Sequence, residues 1–147
     1  MTQRQLEITR VFDAPRDRVW RAWTQPAAMA RWLHPHGLRT PEESVFVDLR
    51  VGGCFRFSMV DEAGTAHASG GEYLEVREPG LLRCTWGAPD EPVAEIEVRL
   101  TKIAGGRTEM VFRLRGHVED TGQVDSVWTG WREAIVELDR EMGGAHG

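Results

Sequence analysis

The side chains equipped for chemistry are few. His34 and His36 flank Pro35, and a His-x-His pair in extended chain can offer two imidazoles to one metal ion. Either ring alone, with a carboxylate partner, has the titration range of a general base near neutrality. A zinc centre would need at least one further ligand, for which Asp48, His67 and His117 are the candidates. None stands at a diagnostic spacing. The plainer reading is a solvated loop pair, so no metal and no cofactor is expected. Arg10 shares the parity of Ile8 and Phe12, which would aim it inward from a strand. A buried guanidinium needs a partner, and Asp48 or Glu72 would serve; a structural ion pair or an edge arginine reaching water is the plainer alternative. The chain has no Gly-x-Gly-x-x-Gly, no phosphate-binding Gly-x4-Gly-Lys loop, no His-Glu-x-x-His and no Gly-x-Ser-x-Gly. Nothing commits it to catalysis.

Those residues must be held by elements, and the elements are legible. Leu6 to Phe12 reads as a first strand, stopped by Asp13-Ala14-Pro15. Pro15 and Pro26 each suit the first turn of a short helix, where a missing N–H costs nothing. Val19, Trp20 and Trp23 edge the first helix; Met29, Trp32 and Leu33 share one face of the second. From Val45 to Gly116 the period becomes two. Ala94, Ile96, Val98 and Leu100 alternate with Glu95, Glu97, Arg99 and Thr101, and Phe55, Phe57 and Met59 alternate with Cys54, Arg56 and Ser58. Short turn clusters such as Gly105-Gly106 join antiparallel neighbours, giving a meander with one apolar face. Gly70-Gly71 reads as a bend or bulge in it. The period then returns to helical: Val124, Trp128, Trp131, Ile135, Leu138 and Met142 form one stripe, with Val136 on the wrong side. Gly130 beside that stripe implies close approach to the sheet or a kink.

Composition bounds the rest. The 147 residues are 41% hydrophobic and 28% charged, which suits a single domain, expected over residues 4–143 with 144–147 frayed. No stretch has the roughly 20 apolar residues of a membrane span, and the start lacks a signal peptide's apolar core, so a cytoplasmic protein with no membrane contact is expected. A net charge of −5 disfavours nucleic acid. Cys54 and Cys84 fall on strands with another between them, too far apart for a disulfide, and read as packed thiols.

The order of strand, two Pro-led helices, meander and long helix is that of an α+β helix-grip fold. Arg10-Val11-Phe12-Asp13-Ala14-Pro15, Val19-Trp20-Arg21-Ala22-Trp23-Thr24, Pro26 and Arg31-Trp32 resemble the start of the family of homologues of the Hsp90 ATPase activator, within the START-like superfamily. Asp48-Leu49-Arg50-Val51-Gly52-Gly53, Thr85-Trp86 and Gly130-Trp131 look like its later positions. The sequence departs from that pattern at Gln25, where Asp or Asn is usual, at Val51, where Pro is common, and at His34, where a small residue is typical.

The resemblance implies a curved sheet closed on the C-terminal helix with a cavity between them. Trp32, Phe55, Phe57, Trp86, Ile96, Phe112, Trp128, Trp131 and Ile135 are the expected walls, with Arg10, His34, His36, Asp48 and Glu72 as polar candidates. An ordinary filled core is the competing expectation. Three functions are compatible with it: binding of a hydrophobic small molecule or lipid, which the apolar walls favour; a co-chaperone-like protein contact; and a cyclase- or hydrolase-type enzyme, for which no catalytic set is evident. Dimerisation through the sheet edge or loops is left open.

Overall fold

The structure, a computed structural model, describes residues 2–88, 91–118 and 123–142, with side chains over 5–87, 94–116 and 129–142. Strand β1 (Thr2–Phe12) is followed by helices α1 (Arg16–Thr24) and α2 (Pro26–Trp32). A single 3-10 turn leads to β2 (Phe46–Val47), then come β3 (Cys54–Val60), β4 (Ala66–Arg77), β5 (Leu81–Ala88), β6 (Glu91–Ile103) and β7 (Arg107–Val118). Helix α3 (Gln123–Glu141) follows. The seven strands form one antiparallel sheet in the order β1-β7-β6-β5-β4-β3-β2. Thus α1 and α2 carry the chain from one edge of the sheet to the other.

The helix starts obey their prolines. Pro15 caps α1 through its carbonyl, which accepts from Arg18 and Val19 N–H, and Pro26 is the first residue of α2. Gln25 gives α2 no side-chain cap. Strand parity holds as well: Ile96, Val98 and Leu100 are buried on one face, while Arg56 and Arg99 are exposed on the other. Gly105 and Gly106 both take positive φ in the β6–β7 turn, a conformation that other residues strain to adopt.

Along α3, Trp131, Ile135, Leu138 and Met142 are buried and Val136 is exposed, as the stripe predicts. Its 19 residues span about 28 Å. The carbonyl of Glu141, at its C-terminal end, accepts from Arg18 Nη2 at 3.0 Å, so α1 anchors α3. The side chains of Val124 and Trp128 and the expected 144–147 tail lie outside the described residues. Among the described helices none is long and apolar enough to cross a membrane.

Two local expectations are corrected. The register shift in β4 falls between Tyr73 and Glu75, not at Gly70-Gly71. Gly71 is instead a close approach, because a Cβ there would collide with the Thr85 carbonyl. Gly130 faces Pro35 rather than the sheet: an added Cβ would stand 3.6 Å from Pro35 Cβ, an ordinary contact. Cys54 and Cys84 are free thiols with β4 between their strands.

Candidate functional site

Between the sheet and α3 lie two neighbouring cavities. The outer one, about 200 Å³, opens to the surface and is lined by Leu33, His34, Pro35, Phe57, Met59, Trp86, Gly130, Trp131 and Ala134. The inner one is about 20 Å³ and includes Trp23, Trp32, Phe55, Tyr73, Cys84, Ile96, Trp86 and Trp131 among its walls. Leu33, Trp86 and Trp131 border both.

The inner region is small because aromatic rings occupy it. Trp131 stacks against Trp23 with centroids 6.2 Å apart, lies 5.0 Å from Phe112 and meets Trp86 edge-on at 5.5 Å. Trp32 packs edge-on against Trp23 at 4.6 Å, and its Nε1 donates to the Ala22 carbonyl at 2.7 Å. Such pairs add cohesion beyond the area they bury. The other described indoles are less well provided. Nε1 of Trp23, Trp86 and Trp131 and the hydroxyl of Tyr73 are buried without a hydrogen-bond partner, as is Trp20 Nε1, which borders neither cavity.

Of the apolar residues expected to form the walls, Phe57 faces the outer cavity, Trp32, Phe55 and Ile96 the inner one, and Trp86 and Trp131 both. Phe112 and Ile135 do not line either; both are fully buried and serve as core. The side chain of Trp128 falls outside the described residues. Sequence reasoning missed Met59 and Ala134 as walls of the outer cavity, although Met59 continues the Phe55–Phe57 parity and Ala134 widens the helix stripe.

The polar candidates divide sharply. His34 borders the outer cavity, and its Nδ1 lies 3.2 Å from the Pro35 carbonyl. A carbonyl can only accept, so in this contact Nδ1 is the donor. His36 is not a cavity residue. Its side chain is exposed and clasps α3 from outside, with Nδ1 3.3 Å from Glu133 and Nε2 3.8 Å from Glu137. The His36 backbone N–H also donates to Glu133. This clasp holds the 34–36 segment over the helix, with Pro35 against Gly130.

Arg10 does not point into the interior either. It is exposed, and its Nη1 donates to the neighbouring Thr9 carbonyl at 2.9 Å. Strand β1 is a sheet edge, where a long arginine side chain can follow the rim out to water. Asp48 lies by the opposite edge and pairs with Arg50, while Glu72 is exposed on β4. Neither carboxylate pairs with Arg10, which is the edge arginine reaching water expected as a plainer alternative.

Among the ionisable walls, burial pushes the Cys84 thiol up to about 12 and raises Tyr73 further, so both stay neutral at ordinary pH. No group of three or more His, Cys, Asp or Glu able to hold a metal ion occurs among the described residues.

The same arrangement of sheet and helices occurs in solved structures. A protein from Chromobacterium violaceum is 28% identical with a TM-score of 0.80, over 95% of this chain and 97% of that one. A Nitrosomonas europaea protein is 23% identical with a TM-score of 0.79, over 95% and 94% of the two chains. A Plasmodium falciparum protein described as an HSP90 activator is 18% identical with a TM-score of 0.71, over 95% and 96%. No curated protein matches the chain. Residues 13–143 match the family model described as activator of Hsp90 ATPase homolog 1-like protein, and the chain belongs to that family.

Proposed function

We propose that the protein binds a small apolar molecule, of about one ring with a short substituent, in the outer cavity. The observation that carries this is the 200 Å³ space itself, walled by Phe57, Met59, Trp86, Trp131 and Ala134 and reached from the surface beside His34. An engineered cavity of roughly 150 Å³ in another protein suffices for benzene. Drug-sized ligands and long acyl chains use pockets of about 300–1,000 Å³. A lipid therefore fits this space poorly, and a compact ring fits it well. An enzyme would need a second polar group converging with His34, and the other outer walls are apolar.

An NMR titration of the full chain with toluene and with palmitate tests the reading. Toluene should shift the backbone amides of Leu33, Gly130 and Ala134, and palmitate should leave them in place. Unmoved amides with toluene at its solubility limit would overturn the proposal.

A second reading, a chaperone-binding domain, draws on the family description and on an exposed apolar pair at the β2 edge. Phe46 is 55% and Val51 64% exposed. Stimulation of a chaperone ATPase, lost in Phe46→Ser, is its test.

A further inference from the structure

Many arginines of this chain are answered by carboxylates, among them Arg21, Arg50, Arg83, Arg99 and Arg113. Arg16, Lys102 and Arg107 are not: among the described residues none of the three has a carboxylate partner. All three line one further cavity of about 250 Å³, which shares no residue with the two apolar ones. We propose that this cavity binds a dianionic phosphoryl group, either free phosphate or the phosphate ester of a small alcohol.

The fold places each cation. Arg16 opens α1, and its Nη1 lies beside the β4–β5 turn, 3.6 Å from where a Cβ on Gly80 would stand. Arg107 begins β7. Its Nε donates to the Ala104 carbonyl at 3.2 Å, which holds the side chain over the β6–β7 turn and leaves its terminal nitrogens unengaged. Lys102 is paired with Thr108 across β6 and β7, so the two share a face of the sheet. Thr108 is fully buried and donates to the Ala14 carbonyl at 2.8 Å, which puts the start of α1 on that same face. Lys102 therefore projects on the side where Arg16 stands.

The charge and size of the space select the ligand. Its one acidic wall, Asp17, is already engaged by Arg21 at 3.1 Å. The positive end of α1 adds to the three cations in the same sense. Guanidinium forks and an ammonium approaching from three walls suit a tetrahedral oxyanion, which offers oxygens on every side. A carboxylate has two oxygens in one plane and a single charge, so it engages fewer of them. Lys102 and Arg107 are exposed, and the ligand enters from water. The volume lies below the roughly 300–1,000 Å³ of drug-sized sites, which limits an ester to a small alcohol. A net charge of −5 opposes a long polyanion.

A 1H–15N NMR titration of the full chain tests this with inorganic phosphate, methyl phosphate and acetate. It is run at about pH 8, where phosphate esters are dianions, and at about 0.15 M ionic strength, where distant charges are screened. The two phosphates should shift the amides of Asp17, Gly80 and Gly106 saturably, and the tighter of them identifies the source. Acetate should bind about tenfold more weakly, or less than that, for want of one charge-assisted contact. Lys102→Gln and Arg107→Gln, both at exposed positions, should each weaken phosphate by about tenfold. Arg115→Gln removes the same charge further along β7, away from the cavity, and should leave binding unchanged. Absent or unsaturating shifts, acetate equal to phosphate, or an Arg115→Gln effect as large as that of Lys102→Gln would overturn the site.

Discussion

The two faces of the sheet treat polar atoms in opposite ways. On the outer face, where water could serve, the protein supplies its own partners. Arg83 donates to Glu75 and Glu95, Glu97 accepts from Arg99 and Arg113, and Arg113 also reaches Glu7, linking β4, β5, β6, β7 and β1. On the inner face Tyr73, Trp86 and Trp131 have buried polar atoms without a protein partner. A buried unsatisfied donor costs about 1–3 kcal/mol, whereas a surface ion pair contributes little. The interior has therefore kept polarity where it is most expensive.

The largest effect on the inner face should come from Trp131→Ala. The Trp131 ring touches Trp23, Trp86 and Phe112 and borders both cavities. Loss of such a side chain should cost about 3–5 kcal/mol, read as a lower urea midpoint. A cost under about 1 kcal/mol would mean that the cluster is not the centre of the core.

Tyr73→Phe probes the same face with the opposite sign. It removes a hydroxyl without changing the ring, and that hydroxyl is buried without a protein partner. Stability should rise by about 1 kcal/mol, seen as a higher melting temperature. A clear fall would show that the hydroxyl is already satisfied and that the inner face is less unusual than its geometry indicates.

Gly130→Ala sets stability against binding at one position. The new methyl meets Pro35 at ordinary contact distance and adds helix propensity worth up to about 1 kcal/mol. It also stands on the wall of the outer cavity, so toluene should bind more weakly. A variant that gains stability and keeps its affinity would place the ligand elsewhere.

These contrasts show what the sequence could disclose. Periodicity assigned faces: Glu95, Glu97 and Arg99 alternate with Ile96 and Val98, and the unbroken stripe along α3 placed Trp131 and Ile135 inside. Parity does not assign depth. Phe55 and Phe112 both point inward, yet one borders the inner cavity and the other is wholly packed, because depth depends on where α1 and α2 cross the sheet. Arg10 follows its plainer expectation, an edge arginine reaching water, since inward parity at a sheet edge still leaves that route open. Tyr73 was hidden by the register shift beside it, which breaks the alternation that would have exposed it. His34 and His36 differ by two residues and face different surroundings, a distinction set by the turn of the loop over α3 rather than by residue type.

The outer face should respond to pH instead of to ligand, and weakly. The hydrogen bond from Arg99, reinforced by the charge of Arg113, holds the Glu97 carboxyl below its ordinary range. A carboxyl lowered on folding contributes stability that is complete above its unfolded pKa and is lost as pH falls through the folded value. Both arginines remain partly exposed, at 54% and 37%, so solvent screens the pair. Glu97→Gln should therefore cost no more than about 1 kcal/mol near neutrality. Urea midpoints of the two proteins should differ at about pH 7 and converge in acid as pH falls through the lowered folded value, below which Glu97 is neutral like its replacement. A difference that persists unchanged in acid would mean that Glu97 acts through packing rather than charge, and that the outer ladder is not the electrostatic counterpart of the inner donors.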